Sequence, residues 1–232
     1  MKTITNTGMA VACCVLALLL GGCSATKQAR RVDPKLSLLV DPSIFKKGAS
    51  GSSLYSYVNP KADIKRYSKV MLVPVLVLKQ GDLTAKDREN YQTLANNALI
   101  FLTKELQQDY DIVQAPAPDA FKFQLAINDA ADSSAVSSVI SSVGSLNAGI
   151  ALMEYGVNGK EMGVGEITCE LKVTDSMTGE LIAAALDRRV GRKSAAGVFG
   201  TWRSANSALQ YWAKRSRYSL CKARGGVNCI KP

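Results

Sequence analysis

Histidine is absent from the 232 residues. Ser-His and Cys-His nucleophile activation, imidazole metal ligation and an imidazole switch near neutral pH are therefore excluded. Chemistry would fall to carboxylates, thiols, lysine or tyrosine. Glu166, Glu170 and Asp175 cluster within one short stretch and are the candidates for a carboxylate-dependent hydrolase. A working acid pair needs environments that push two pKa values apart. Here the alternation places Glu166 and Glu170 on an outward strand face and Asp175 in a turn, so no catalytic residue is assigned. Gly191-Arg-Lys-Ser194 ends like a phosphate-binding loop, but Leu186 stands where its first glycine belongs. Ser43-Ile-Phe-Lys46 has the Ser-x-x-Lys spacing without the Ser-Asp-Asn and Lys-Thr-Gly companions. No Cys-x-x-Cys occurs, which argues against thiol-disulfide exchange and most zinc sites. The expectation is a non-enzyme with no metal and no cofactor.

The thiols are more informative. Lys2 precedes an uncharged stretch and the apolar run Met9 to Leu20, too short for the ~20 residues a membrane-crossing helix needs. A basic start, a short apolar region and small residues have the build of a secretory signal peptide. Leu20-Gly21-Gly22-Cys23 resembles the lipobox of bacterial lipoproteins. That resemblance implies cleavage after residue 22, palmitate-type acylation of Cys23, and a bilayer as partner. Three acyl chains exceed what stable anchoring requires. Ser24, and not Asp, follows the cysteine, which in enteric-type bacteria resembles sorting to the outer membrane, facing the periplasm.

Export implies an oxidising compartment, where disulfides persist. Cys169, Cys221 and Cys229 remain after the leader and the lipidated Cys23. Cys221 and Cys229 flank a Gly225-Gly226 turn and are the candidate disulfide; free thiols or pairing with Cys169 stay open. Cys169 sits in Ile167-Thr-Cys-Glu-Leu-Lys-Val173, on the apolar face of an alternating strand, where cysteine acts as a small hydrophobe.

The elements that must position these residues follow from periodicity. Residues 1–22 read as leader, 23–60 as lipidated tether and loop, 61–220 as one domain, and 221–232 as a basic tail. Val70-Met-Leu-Val-Pro-Val-Leu-Val-Leu78 is a strand buried on both faces, with Pro74 suggesting a bulge or a sheet margin. Thr84 opens a helix in which Tyr91, Leu94, Ala95, Ala98, Leu102 and Leu106 share a stripe. Strands are expected at 110–113 and 121–127, a weak amphipathic helix or lid at 130–150, and hairpin arms at 162–174 and 180–190. Asp175-Ser-Met-Thr-Gly-Glu180 supplies the hairpin turn. From Thr201 to Leu220 a helix carries Trp202, Ala205, Leu209, Trp212, Ala213, Ser216 and Leu220 on one face. The order β-α-β-β-(α)-β-β-α gives a single α+β domain, two main helices against a mostly antiparallel sheet.

Leu39-Val-Asp-Pro-Ser-Ile-Phe45, Tyr57-Val-Asn-Pro60, Tyr67-Ser-Lys-Val-Met-Leu-Val-Pro-Val75, the 175–180 turn and Asp187-Arg-Arg189 together resemble an uncharacterised bacterial lipoprotein family, domain of unknown function 3313. The resemblance spans roughly 36 to 215. It implies a periplasm-facing lipoprotein and brings no catalytic residues.

Charge is unevenly placed. Of the net +10, residues 187–232 hold eleven basic side chains against Asp187 alone. Arg188, Arg189, Arg192, Lys193, Arg203, Lys214, Arg215 and Arg217 are the candidates for contact with an anionic envelope polymer or an acidic protein. Nucleic acid fits poorly with a domain anchored outside the cytoplasm. The bland alternative is a solvated helix face.

Overall fold

The computed structural model describes residues 26–80, 84–128, 152–155, 166–191 and 201–232. In chain order these form β1 (Thr26–Gln28), β2 (Lys46–Lys47), β3 (Tyr55–Val58), β4 (Lys69–Leu72) and β5 (Leu76–Gln80). They continue as α1 (Ala85–Leu106), β6 (Asp111–Val113), β7 (Ala120–Asn128) and β8 (Leu152–Tyr155). The chain closes with β9 (Glu166–Asp175), β10 (Leu181–Gly191) and α2 (Thr201–Ala223). The expected helix or lid at 130–150 lies outside the described residues.

Period-two patterning sets the centre of the sheet. Phe121, Phe123, Leu125 and Ile127 on β7 and Ile167, Cys169 and Val173 on β9 point to one face and are buried there. Tyr91, Leu94, Ala98, Leu102 and Leu106 of α1, and Ala205, Ala208, Leu209, Trp212 and Ala213 of α2, bury the opposing stripes. Asn97 Nδ2 donates to Asn206 Oδ1 at 2.8 Å between the two helices. The result is the expected α+β domain, one helical layer on one sheet.

The sheet is mixed, and as expected its antiparallel pairings outnumber its parallel ones, five to four among the described residues. Its order is β2-β3-β10-β9-β7-β4-β6, with β1 also on β10 and β5 joining β7 to β8. β4 pairs parallel with β6 and β7, and β5 pairs parallel with β7 and β8. The uninterrupted apolar run of residues 70–78 carried this signal, because parallel strands are covered on both faces. Pro74 breaks the run into β4 and β5 without placing either at the margin: each lies between two neighbours. Across the break the offset to β7 changes by one residue, from Leu72 opposite Phe123 to Leu76 opposite Ala126, which is the bulge that Pro74 suggested.

The N-terminal segment also departs from expectation. Residues 24–35 read as a loose tether, yet Thr26–Gln28 adds to the edge of β10, opposite Arg189–Gly191. Within the same stretch, read as tether and loop, Tyr55–Val58 forms β3, paired with Ala183–Leu186. The second sheet face is covered by residues 33–45: Leu38 and Leu39 pack with Leu76, Leu78 and Ala126.

Candidate functional site

Three buried acids tie distant segments to the sheet, and the first of them fastens this covering. Glu170 is fully buried on the face away from the helices. Its carboxylate accepts from Ser37 Oγ at 2.5 Å, Leu38 N at 2.8 Å and Leu39 N at 3.0 Å. Burial pushes its pKa up, while these donors pull the other way. The outward position assigned to Glu170 is thus corrected: the strand face it occupies is roofed by residues 37–39.

Asp175 accepts from Tyr67 Oη at 2.9 Å, pairs with Arg66, and caps its own turn through Met177 N and Thr178 N. The Thr178 backbone N–H, followed by Tyr67, Met177 and Arg66, holds its carboxyl well below the usual range. Gly179 of the same turn has φ of 74°, as the sequence requires. Both carboxylates accept from several donors within the domain. The side chain of Glu166 is outside the described part.

Asp187 and Arg189 form a third fastening. Asp187 accepts from Gln28 Nε2 at 2.7 Å, Leu54 N at 3.1 Å and Trp212 Nε1 at 2.8 Å. One buried carboxylate thereby joins β1, the approach to β3, β10 and α2. Arg189, 5% exposed, donates to Thr26 Oγ1 and to Thr26 O, and its guanidinium lies 3.6 Å from the Tyr211 ring centre. Arg189 is therefore removed from the candidate anion-binding surface: its charge is spent inside the domain on β1.

The basic surface shrinks further. Arg217 binds Asp109 at 2.7 Å and lies 3.9 Å from Glu105, so it ties α2 to α1. Lys214 is exposed, Arg215 and Arg188 are half-buried, and the Arg215 guanidinium sits 4.9 Å from the Tyr218 ring. Arg192, Lys193 and the side chain of Arg203 fall outside what is described, as do Cys23 and the side chain of Trp202.

Cys221 and Cys229 are joined in a disulfide with Cα atoms 5.7 Å apart, which settles the pairing left open by the sequence. Gly225 takes φ of 82°. A Cβ on Gly226 would stand 2.6 Å from Cys221 Sγ, so the turn requires glycine at both positions. Cys169 is a free, buried thiol whose pKa burial pushes up, the state of an inert core residue.

A concave site was not legible in the sequence. Between α2 and strands β9 and β10 lies a cavity of about 540 Å³, bounded on its third side by residues 52–64. Trp212 and Asp187 line it, as do Ile182, Ala183 and Ala185 of β10 and Ser216, Leu220 and Ala223 of α2. The small side chains on the facing strand and helix leave the space between them unfilled. The sequence signal was the run Ala183-Ala-Ala185 facing Ser216 and Ser219, readable only once the two elements are known to meet. Among the described residues no group of three acidic or sulfur side chains is placed to hold a metal ion.

A family profile, described as protein of unknown function (DUF3313), matches residues 35–216. No curated protein matches the sequence. Among solved structures the chain is similar to the PelC dodecamer from Paraburkholderia phytofirmans, at 13% identity and TM-score 0.36, over 75% of this chain and 96% of that one. It is likewise similar to a candidate lipoprotein from Caulobacter crescentus CB15, at 11% identity and TM-score 0.34, over 71% and 95%. Overlap at these TM-scores does not establish a common fold.

Proposed function

Since the chain belongs to the DUF3313 family, whose function is open, we propose that it is a lipid-anchored, non-catalytic lipoprotein of the bacterial cell envelope. Residues 1–22 are its signal peptide, Cys23 carries the acyl groups, and the domain faces the periplasm from the outer membrane. There it binds a protein or an anionic envelope component. The observation that carries this reading is Leu20-Gly-Gly-Cys23 standing three residues before β1. No helix among the described residues is long and apolar enough to cross a membrane, and the proposed attachment is through the acyl groups on Cys23. The non-catalytic part is supported by Glu170, Asp175 and Asp187, each committed to holding distant segments together.

The test is metabolic labelling with an alkyne palmitate. Wild type takes the label and Cys23→Ser does not. Label persisting in Cys23→Ser, or a mature wild type that keeps its leader and gains no acyl mass, overturns the proposal. In-cell crosslinking with mass spectrometry of the products then separates a protein partner from a polymer.

A further inference from the structure

The cavity between α2 and β10 has a mostly apolar lining. Its lining runs from Trp212 to Ala223 on α2 and from Ile182 to Asp187 on β10. At ~1.5 Å per helical residue and ~3.3 Å per strand residue, both walls are about 16 Å long. Its volume is about 540 Å³. Apolar cavities stay dry and accept apolar guests, and this volume lies within the ~300–1,000 Å³ of ordinary ligand pockets. Val58, on the rim, is 69% exposed, so apolar surface continues from the cavity to solvent.

The charges in the lining discriminate further. Asp187 already accepts from Gln28, Leu54 and Trp212. Arg215 is the basic residue among the described lining, one helical turn from Trp212. The Asp187–Trp212 end is fastened to Gln28, five residues from Cys23, and a chain of that length spans at most about 18 Å. If Cys23 is the anchor, that end of the cavity lies beside the bilayer.

We propose that the slot takes one acyl chain of an anionic phospholipid drawn from the membrane that holds the protein, with the lipid phosphate against Arg215. This rests on the anchoring reading above. The small residues Ala183, Ala185 and Ser216 leave room for the chain, with the headgroup at the Asp187–Trp212 end and the tail running toward Ala223.

The experiment uses the full lipidated chain in vesicles of phosphatidylethanolamine and phosphatidylglycerol, the latter carrying a diazirine at the tail end. After irradiation, label is expected on peptides covering 182–187 and 212–220. Ala185→Phe and Ser216→Leu, which fill the slot, should each cut that label at least tenfold without lowering Tm. Arg215→Gln should lower the preference for phosphatidylglycerol over phosphatidylcholine severalfold. Label confined to residues near 23–31, or unaffected by both filling variants, overturns the proposal. Flotation separates the two readings: protein that floats with the vesicles but carries no label in the slot refutes the lipid site alone. Protein that does not float refutes the anchor, and the membrane-drawn ligand with it.

Discussion

Replacing Glu170 by alanine should loosen the whole N-terminal covering of the sheet, although residues 37–39 lie more than 130 positions away. The side chain satisfies Ser37 Oγ, Leu38 N and Leu39 N at 2.5, 2.8 and 3.0 Å. A hydrogen bond to a charged group contributes about 1.5–3 kcal/mol, so the gross loss is roughly 5–9 kcal/mol by that figure. Two effects reduce it. Removing the buried carboxylate relieves a desolvation cost of several kcal/mol, and Leu38 and Leu39 are only half-buried, so water can reach their freed N–H groups. The net expectation is about 3 kcal/mol, with Glu170→Gln at roughly half, because its carbonyl still accepts one of the donors. Urea unfolding at pH 7 measures the total, and amide exchange at Leu38 and Leu39 locates it: both amides should lose protection while the α1 core keeps its own. A loss under about 1 kcal/mol, or unchanged exchange at those two amides, would refute the clamp.

Trp212→Phe removes one of three donors to buried Asp187 and should cost about 1.5–3 kcal/mol in chemical denaturation; a neutral substitution would mean that Asp187 does not hold α2. Gly226→Ala places a methyl against both sulfurs, so thiol titration of the unfolded, mature variant should detect free Cys221 and Cys229 where the lipidated wild type shows Cys169 alone. The depressed Asp175 carboxyl binds its proton later in the folded chain than in the unfolded one. Its stabilisation is complete above the unfolded pKa near 3.8 and falls away as pH drops below it. Asp175→Asn should therefore be less stable than wild type at pH 7, and the gap should narrow at pH 3; a gap independent of pH removes the charge from the account. Lys214→Glu, at an exposed position with no role in packing, should weaken capture of an acidic envelope partner without shifting Tm, whereas Arg217→Glu should lower Tm by breaking its pairs with Asp109 and Glu105.

Local pattern alone determined much of this protein. The stripe of α1 from Tyr91 to Leu106, the inward set Ile167, Cys169 and Val173, the Asp175–Glu180 turn and the closeness of Cys221 to Cys229 are all properties of a few neighbouring residues. Period and turn chemistry encode them directly. Tertiary structure decided the rest. Alternation says which residues share a strand face but not whether that face is wet: Glu170 read as outward because its lid, residues 37–39, is distant in sequence. Arg189 read as surface charge because Thr26 and Tyr211 were not known to flank it. The parallel pairings of β4 and β5, and the cavity between β10 and α2, arise where elements separated by loops meet. Such pairings depend on which segments the closed chain brings together, and no window of neighbouring residues contains that information.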